Sequence, residues 1–183
     1  MTMPEYRPPV TWREPGVIEM NIAGQWRARW VEAAELPAGV EVTVVRGIIF
    51  ADDRGYALRP HGGATWNGIE DELPAGEQPE AFIKRIVKER IGITVGTLVL
   101  IGYQACKATS QNTTHREGEI TLRPLYLVVG KTVKESPAGS GYERRRWPVN
   151  EFGMVMRTRY PEFETRISEL LQRYGVGRAK GEF

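Results

Sequence analysis

The stretch that decides the fold is residues 71–93, which read DELPAGEQPEAFIKRIVKERIGI. Its second half repeats apolar residues at the spacing of a helix that buries one face. These residues are Phe82, Ile83, Ile86, Val87 and Ile91. Pro79 suits the first turn of such a helix, where its missing N–H is not needed, and Gly92 suits its end. The pattern predicts a helix over 81–91 that packs against a larger body.

Strand-like segments flank this helix on both sides, rich in β-branched residues and separated by turn residues. They are residues 40–50, 56–60, 97–108 and 120–129. Pro124 lies inside the last segment and predicts an edge position or a bulge there. A second apolar stripe predicts a helix from near Pro161 to Gly175. The order strands, helix, strands, helix predicts an α/β fold, with a mixed central sheet and helices on its faces.

Composition divides the chain into four parts. They are a flexible N-terminal arm (1–16), N-terminal strands broken by Gly24 (17–39), the main domain (40–178) and a C-terminal tail (179–183). Within the main domain, loop composition is found in residues 61–78, 110–119 and 131–146. Trp12, Trp26 and Trp30 lie in or beside the arm. Because a lone hairpin cannot bury such rings, we expect them to pack on the main domain or on a second copy.

Composition and charge are those of one soluble domain. The chain has 183 residues, of which 41% are hydrophobic and 26% are charged. A net charge of +2 gives no strong attraction to nucleic acid or to a membrane. The single cysteine, Cys106, excludes an internal disulfide and fits a reducing compartment. No membrane span or secretory signal is visible, so we expect a cytoplasmic protein.

Residues 71–93 resemble the Nudix box, a loop–helix–loop motif with Gly, Glu, Arg-Glu, a pair of Glu and a final Gly at fixed spacing. The matching positions hold Glu77, Arg85, Glu89 and Gly92. Residues 142–152, YERRRWPVNEF, resemble the family's Glu-rich loop and the Trp segment that follows it. The resemblance covers residues 40–175 and implies a Nudix-type α/β/α sandwich, here with an N-terminal strand or arm and a C-terminal helix.

Three positions depart from the motif. Asp71 replaces the opening Gly, Ile86 replaces the Glu after the Arg, and Arg90 replaces the second Glu of the pair. The resemblance implies hydrolysis of nucleoside diphosphates linked to another moiety, with helix carboxylates that hold Mg²⁺ or Mn²⁺. Positions i, i+3 and i+4 share one helix face, and here they are Ile86, Glu89 and Arg90. Because one carboxylate remains beside an alkyl group and a cation that repels divalent ions, we expect impaired catalysis.

The motif gives the candidate catalytic and metal-binding residues. Glu89, Glu77 and Arg85 are the catalytic candidates, although Glu77 and Arg85 also fit a plain ion pair that braces the loop on the helix. Asp71 and Glu72 could form a metal site with Glu89, although an acidic run in a loop also fits a solvated surface.

Other side chains are candidates for ligand binding. They are Arg90, Trp66 and Arg146, since guanidinium groups bind phosphate and aromatic rings stack on planar ligands. Glu135 and Glu143 lie in the segment where some family members carry a general base, and an ordinary surface loop is the alternative.

Three functions remain open from the sequence. The first is a protein of impaired catalysis, without cofactor, that binds a nucleotide-like ligand or a partner. The second is a divergent Mg²⁺- or Mn²⁺-dependent pyrophosphohydrolase. The third is an interaction module that forms a homodimer through its N-terminal strands or a patch of Phe82 and Ile86. We expect a nucleotide-derived small molecule as the partner, and neither a membrane nor a specific nucleic acid. We do not expect a Nudix-type transcription factor, because the roughly 20 residues beyond Phe152 that could be helical leave no room for an added DNA-reading domain of the usual size.

Overall fold

The computed structural model describes residues 19–157 and 166–174, which form eight strands and three helices. The strands are β1 (Glu19–Ile22), β2 (Trp26–Glu32), β3 (Val44–Ala51), β4 (Arg54–Pro60), β5 (Ile69–Glu72), β6 (Ile93–Ala108), β7 (Ile120–Val133) and β8 (Tyr142–Pro148). The helices are α1 (Pro79–Ile91), α2 (Val149–Arg157) and α3 (Arg166–Arg173). The predicted arm 1–16, the tail 179–183, Trp12 and the predicted helix start at Pro161 lie outside the described residues.

All the described strands join one mixed sheet. Their order is β1-β2-β6-β7-β3-β4-β8, and β5 also pairs with β3. Strands β3 and β7 run parallel, whereas the other pairs are antiparallel. One edge of β3 is shared, because β5 pairs with its residues 44–47 and β4 with its residues 49–51. β5 and α1 therefore lie next to each other in the molecule.

The two faces of the sheet carry separate apolar cores. On the first face, α1 packs its buried side chains against Val45, Ile49 and Val128. On the second face, Ile48 and Phe50 pack with residues of α2 and α3. Because β3 is covered on both faces, its sequence is apolar apart from Arg46 and shows little alternation. The predicted α/β/α sandwich with a mixed sheet is confirmed.

Helix α1 has the ends that the sequence predicts. Pro79 is its first residue, and Gly92 follows its last in the left-handed conformation, with φ 72°. The Gly92 N–H donates to the carbonyl of Lys88 at 3.0 Å, which satisfies one of the last carbonyls of the helix. A Cβ at Gly92 would also lie 2.5 Å from the Glu135 carbonyl oxygen, so both the turn and the packing require glycine.

Two segments predicted as loops contain strands, so those predictions are wrong. Residues 69–72, within the predicted loop 61–78, form β5. Residues 142–146, within the predicted loop 131–146, belong to β8, and β7 extends to Val133. Both new strands are mostly polar, with the sequences IEDE and YERRRWP, so no run of apolar residues announces them. Backbone pairing with β3 and β4 determines their conformation.

Pro124 does not lie at an edge of the sheet. Strand β7 lies between β6 and β3, and Pro124 pairs with Tyr103 of β6. The sequence offered a bulge as the alternative, and a register shift lies close by, between Leu100 and Gly102 of β6. The irregularity therefore lies on the neighbouring strand, close to the residue that pairs with Pro124.

The N-terminal hairpin extends the main sheet. Strand β2 pairs with β6 along its whole length, and β1 pairs with β2. Trp26 is 7% exposed and packs with Ala28 and Cys106, while Trp30 packs against the second-face core. These two tryptophans therefore pack on the main domain, one of the two predicted alternatives. No helix among the described residues is long and apolar enough to cross a membrane.

Candidate functional site

The outer surface of α1 carries a hydrogen-bonded group of three charged residues. Arg85 donates through Nη2 to Glu77 Oε1 at 2.7 Å and through Nη1 to Glu89 Oε2 at 3.3 Å. The Arg85 guanidinium also lies 5.3 Å from the centre of the Phe82 ring. The ion pair expected between Glu77 and Arg85 is present and ties the loop before α1 to the helix. All three of the charged side chains are partly exposed, so the pairing itself adds only modest stability.

Ile86 lies in the core of the domain. Its exposure is 3%, and it belongs to the first-face core together with Phe82 and Val87. The position that holds a carboxylate in the Nudix motif is therefore part of the packing between α1 and the sheet. This position therefore supplies no oxygen to a metal ion.

Arg90 is held between β5 and β8. Its Nη2 donates to Asp71 Oδ2 of β5 in a charged hydrogen bond. Its guanidinium carbon also lies 4.8 Å from the centre of the Tyr142 ring of β8. The Arg90 side chain is 16% exposed and that of Asp71 is 41% exposed. A fixed cation thus braces α1 against two strands, where the motif has a second carboxylate.

Within the described residues, the structure does not bring the carboxylates predicted to bind metal together into one group. Asp71 is paired with Arg90, and Glu89 is paired with Arg85. Glu72 follows Asp71 on β5, so its side chain leaves the opposite face of that strand. Within 19–157 and 166–174, no group of three or more His, Cys, Asp or Glu residues could hold a metal ion. Mg²⁺ and Mn²⁺ prefer clustered oxygens, and Asp71 and Glu89 each face an arginine here, which disfavours either ion.

Strand β8 separates its arginines by alternation. Tyr142 belongs to the first-face core, so Arg144 and Arg146 face the α1 side as well. Arg144 donates to the carbonyl of Ile91 at 2.6 Å and to that of Lys134 at 2.7 Å, so it caps the C-terminal end of α1. Arg146 is exposed on the same side of the sheet. Two of the three predicted binding residues, Arg90 and Arg146, therefore share one side.

Trp66, the third predicted binding residue, lies on the other side of the sheet. It packs against the second-face core, and its ring meets that of Trp147 edge to face at 5.8 Å. Arg59 lies over the Trp66 ring at 4.4 Å and forms an ion pair with Glu143. The structure therefore does not bring Trp66 together with Arg90. Glu143, which the sequence suggested as a general base, is held in this ion pair with Arg59.

Sequence reasoning missed a polar row buried on the second face. Arg46 is 5%, Gln104 8% and Thr121 1% exposed. Arg46 donates to the carbonyl of Arg123 at 3.3 Å, and Arg123 pairs with Gln104 across β6 and β7. The available signal was the presence of polar side chains inside strands that are otherwise apolar. Arg46 has a partner in the Arg123 carbonyl, as a buried charge requires, whereas the Thr121 hydroxyl makes no hydrogen bond within the described residues.

Cys106 lies next to this row and is a buried thiol. Its exposure is 0%, and it pairs with Thr121 across the strands. Burial raises the pKa of the thiol from 9.0 to about 11, although the positive charges of Arg123 and Arg46 act in the opposite direction. The thiol is therefore protonated at neutral pH and unreactive, in agreement with a small core residue.

Comparison with known proteins identifies the fold. The sequence matches no protein-family model and no curated protein. Among solved structures, the chain is similar to a mutant of the pyrophosphohydrolase BsRppH from Bacillus subtilis, with a TM-score of 0.62 and 13% identity. The match covers 83% of this chain and 96% of that one.

Two other solved structures overlap less well. MutT, from a study of Aliivibrio salmonicida and Vibrio cholerae, gives a TM-score of 0.47 and 18% identity over 70% of this chain and 98% of that one. The NUDIX domain of Shewanella oneidensis NrtR, in complex with ADP ribose, gives a TM-score of 0.45 and 11% identity over 68% of this chain and 86% of that one. The layers, the mixed sheet and the similarity to BsRppH define the class: the chain has the Nudix fold.

Proposed function

We propose that this Nudix-fold protein is impaired in catalysis and binds a nucleotide-like ligand or a partner. The observation that carries the proposal is the state of two motif positions on α1. Ile86 is buried in the core, and Arg90 forms an ion pair with Asp71. Both positions would need carboxylates for a metal cluster on this helix, and neither has one.

Electrostatics explains why hydrolysis should suffer. At the three motif positions on one face of α1, a divalent ion would meet one carboxylate, Glu89, which is already hydrogen-bonded to Arg85. It would also meet the fixed positive charge of Arg90, which repels it. Without a bound metal, a water molecule attacking a diphosphate keeps its high pKa and remains a weak nucleophile.

Binding of a phosphate-containing ligand does not require the carboxylates that Ile86 and Arg90 replace. Arg90 and Arg146 lie on the α1 side, and guanidinium groups bind phosphate oxygens through paired hydrogen bonds. The retained residues Glu77, Arg85 and Gly92 keep the loop and helix in the arrangement that the motif requires. We therefore favour a nucleotide-derived small molecule as the ligand.

The decisive experiment measures turnover and binding on the same protein. The purified chain is incubated with a panel of nucleoside diphosphate derivatives, with Mg²⁺ and separately with Mn²⁺, and the panel is also tested for binding by calorimetry. We expect binding of at least one derivative and turnover no faster than the uncatalysed background. The matched variants are Glu89→Gln and Glu117→Gln, since Glu117 is exposed in the β6–β7 loop, away from α1. Turnover that Glu89→Gln abolishes and Glu117→Gln leaves intact would overturn the proposal.

A divergent pyrophosphohydrolase that uses Mg²⁺ or Mn²⁺ is the second candidate. The hydrogen bonds that join Glu77, Arg85 and Glu89 favour it, because they preserve part of the motif. Electron paramagnetic resonance of Mn²⁺ titrated into the protein tests this candidate directly. A bound signal that disappears in Glu89→Gln supports it, whereas the spectrum of free Mn²⁺ alone rejects it.

A homodimer through the N-terminal strands is a further proposal, compatible with either activity. Within the described residues, β1 is the first strand of the sheet and has one neighbour, β2. An edge strand presents backbone groups that a second copy can pair with. Light scattering should give twice the mass of the chain, and a monomer mass at working concentration would exclude this proposal.

A further inference from the structure

Arg90 is a restrained cation on the α1 side of the described structure. Its guanidinium makes a charged hydrogen bond to Asp71 and lies over the Tyr142 ring at 4.8 Å. Its side chain is 16% exposed, so part of the group still reaches solvent. A guanidinium has five N–H donors in a planar fork, and one carboxylate does not use all of them.

Asp71 is a replaceable partner for this cation. Its side chain is 41% exposed, so the carboxylate can leave the pair for water at little cost. A carboxylate and a phosphate present similar pairs of oxygens to a guanidinium. An arriving diphosphate carries more negative charge than Asp71 and would compete for the same donors.

From these observations we propose that Arg90 replaces the divalent cation in ligand binding, and that Asp71 occupies the position of the ligand's phosphate until the ligand displaces it. The inference rests on the proposed function, namely binding of a nucleotide-like ligand on the α1 side. The ligand class is a nucleoside diphosphate or a derivative of one. Its binding is independent of divalent metal, since the protein supplies the positive charge itself.

Replacement of Asp71 distinguishes this role from that of a metal ligand. If Asp71 competes with the ligand, then Asp71→Asn frees Arg90 and strengthens binding. If Asp71 holds a metal that binds the ligand, the same change weakens binding. Asparagine keeps an oxygen that can accept from the Glu72 N–H, as Asp71 Oδ1 does at 2.8 Å, so β5 should be undisturbed.

The experiment measures ADP binding by calorimetry, in EDTA and in Mg²⁺. The variants are Asp71→Asn, Arg90→Gln and Arg90→Lys, with Glu70→Gln and Arg145→Gln as matched controls. Glu70 is exposed next to Asp71 on β5, and Arg145 lies on β8 with its side chain over Trp147 on the second face. Thermal unfolding of each variant identifies any that does not fold.

We expect EDTA to change the affinity of the unmodified chain by less than about twofold, since no metal takes part. Asp71→Asn should strengthen binding by about threefold to tenfold, and Arg90→Gln should weaken it at least about tenfold. Arg90→Lys keeps the charge without the fork and should weaken binding less than Arg90→Gln. Both controls should bind like the unmodified chain.

Four results would contradict this account: three of them overturn the role of Arg90, and the fourth overturns the proposed function. Binding that EDTA abolishes, or that Asp71→Asn weakens, overturns the role of Arg90 but leaves the proposed function standing. Binding in EDTA that no Arg90 variant affects also overturns it, because the ligand then lies elsewhere. If neither ADP nor any derivative in the panel binds in either buffer, ligand binding as the proposed function fails. If Arg90→Gln does not fold, Asp71→Asn still distinguishes the two roles of Asp71. Binding becomes stronger if Asp71 competes with the ligand, and weaker if Asp71 holds a metal.

Discussion

Ile86 and Arg90 lie one turn apart on α1 and contribute to the structure in different ways. Ile86 is 3% exposed and adds apolar area to the contact between helix and sheet. Arg90 ties the helix to Asp71 and Tyr142 through charge and ring contacts. Restoration of the two missing carboxylates would therefore have unequal consequences. One of them would have to enter the core, whereas the other would replace a cation at the surface.

The first prediction concerns Ile86. Ile86→Glu places a carboxylate in an apolar core without a partner, and should lower the free energy of unfolding by more than about 3 kcal/mol. Ile86→Val, the matched control, removes one methylene and should cost about 1 kcal/mol. Urea unfolding at pH 7, followed by tryptophan fluorescence, measures both. Equal stability of Ile86→Glu and the unmodified chain would mean that this side chain reaches water.

The second prediction concerns Cys106 and pH. Its pKa is raised from 9.0 to about 11, so between these values the unfolded chain loses the thiol proton while the folded chain keeps it. The unfolded state then binds fewer protons, and stability falls as pH rises. The loss attributable to this group should be about 2–3 kcal/mol at pH 11. Urea unfolding at pH 8 and near pH 11 gives the free energy of unfolding of the unmodified chain and of Cys106→Ala. The extra loss in the unmodified chain at the higher pH is the contribution of the thiol. An equal loss in both proteins would show that the thiol ionises as freely in the folded state as in the unfolded state.

At the scale of elements, β8 determines the surroundings of the proposed site. Its sequence YERRRWP contains three consecutive arginines, and alternation sends them to opposite faces. Arg144 caps α1 on one face, while Arg145 covers Trp147 at 4.8 Å on the other. The strand is joined to β4 by seven residue pairs between Tyr142–Pro148 and Arg54–Pro60. A polar strand thus remains in the sheet because its arginines find aromatic rings and carbonyl groups.

The third prediction tests the cap on α1. Arg144→Gln removes charged hydrogen bonds to the carbonyls of Ile91 and Lys134 and should destabilise the fold by about 2 kcal/mol. Arg146→Gln, two residues along the same face, should change stability by no more than about 0.5 kcal/mol, because Arg146 is exposed. Thermal and urea unfolding measure the stability of the two variants. Equal losses in both variants would show that general charge, and not the cap, is responsible.

At the scale of the whole molecule, stability depends on layers that approach closely. Gly55 of β4 faces α2, and a Cβ added there would lie 2.1 Å from Cγ of Phe152. Phe152 is 0% exposed and also packs edge to face on Phe50 at 5.1 Å. The absence of a side chain at Gly55 therefore allows α2 to seat Phe152 directly on the sheet.

The fourth prediction follows from this close approach. Gly55→Ala should lower the unfolding free energy by at least about 2 kcal/mol, because the buried ring must move away from the sheet. In the control Gly96→Ala, the nearest atom to the new Cβ is Lys131 Cβ at 3.0 Å, which would have to move by only a few tenths of an ångström. Denaturant midpoints of the two variants give the comparison. A smaller loss for Gly55→Ala than for Gly96→Ala would contradict the packing between α2 and the sheet.

Local signals predicted part of the candidate site. The ion pair of Glu77 with Arg85 could be expected from the helix motif, and Ile86 could be assigned to an apolar patch with Phe82. The pairing of Arg90 with Asp71 could not, because 19 residues and a strand that the sequence hides separate them. The same holds for Arg59 and Glu143, 84 residues apart. Partners of this kind are set by strand register, which no local spacing encodes.

The sequence by itself determined α1 with both of its ends, the apolar strands and their arrangement as a layered α/β fold. It could do so because helical and strand periodicities record which face of each element is buried. The tertiary structure alone decided that β5 and β8 are strands, that Trp66 lies across the sheet from Arg90, and that Asp71 pairs with Arg90. These outcomes depend on which distant segments meet across the sheet, and polar segments carry no periodic pattern that specifies their neighbours.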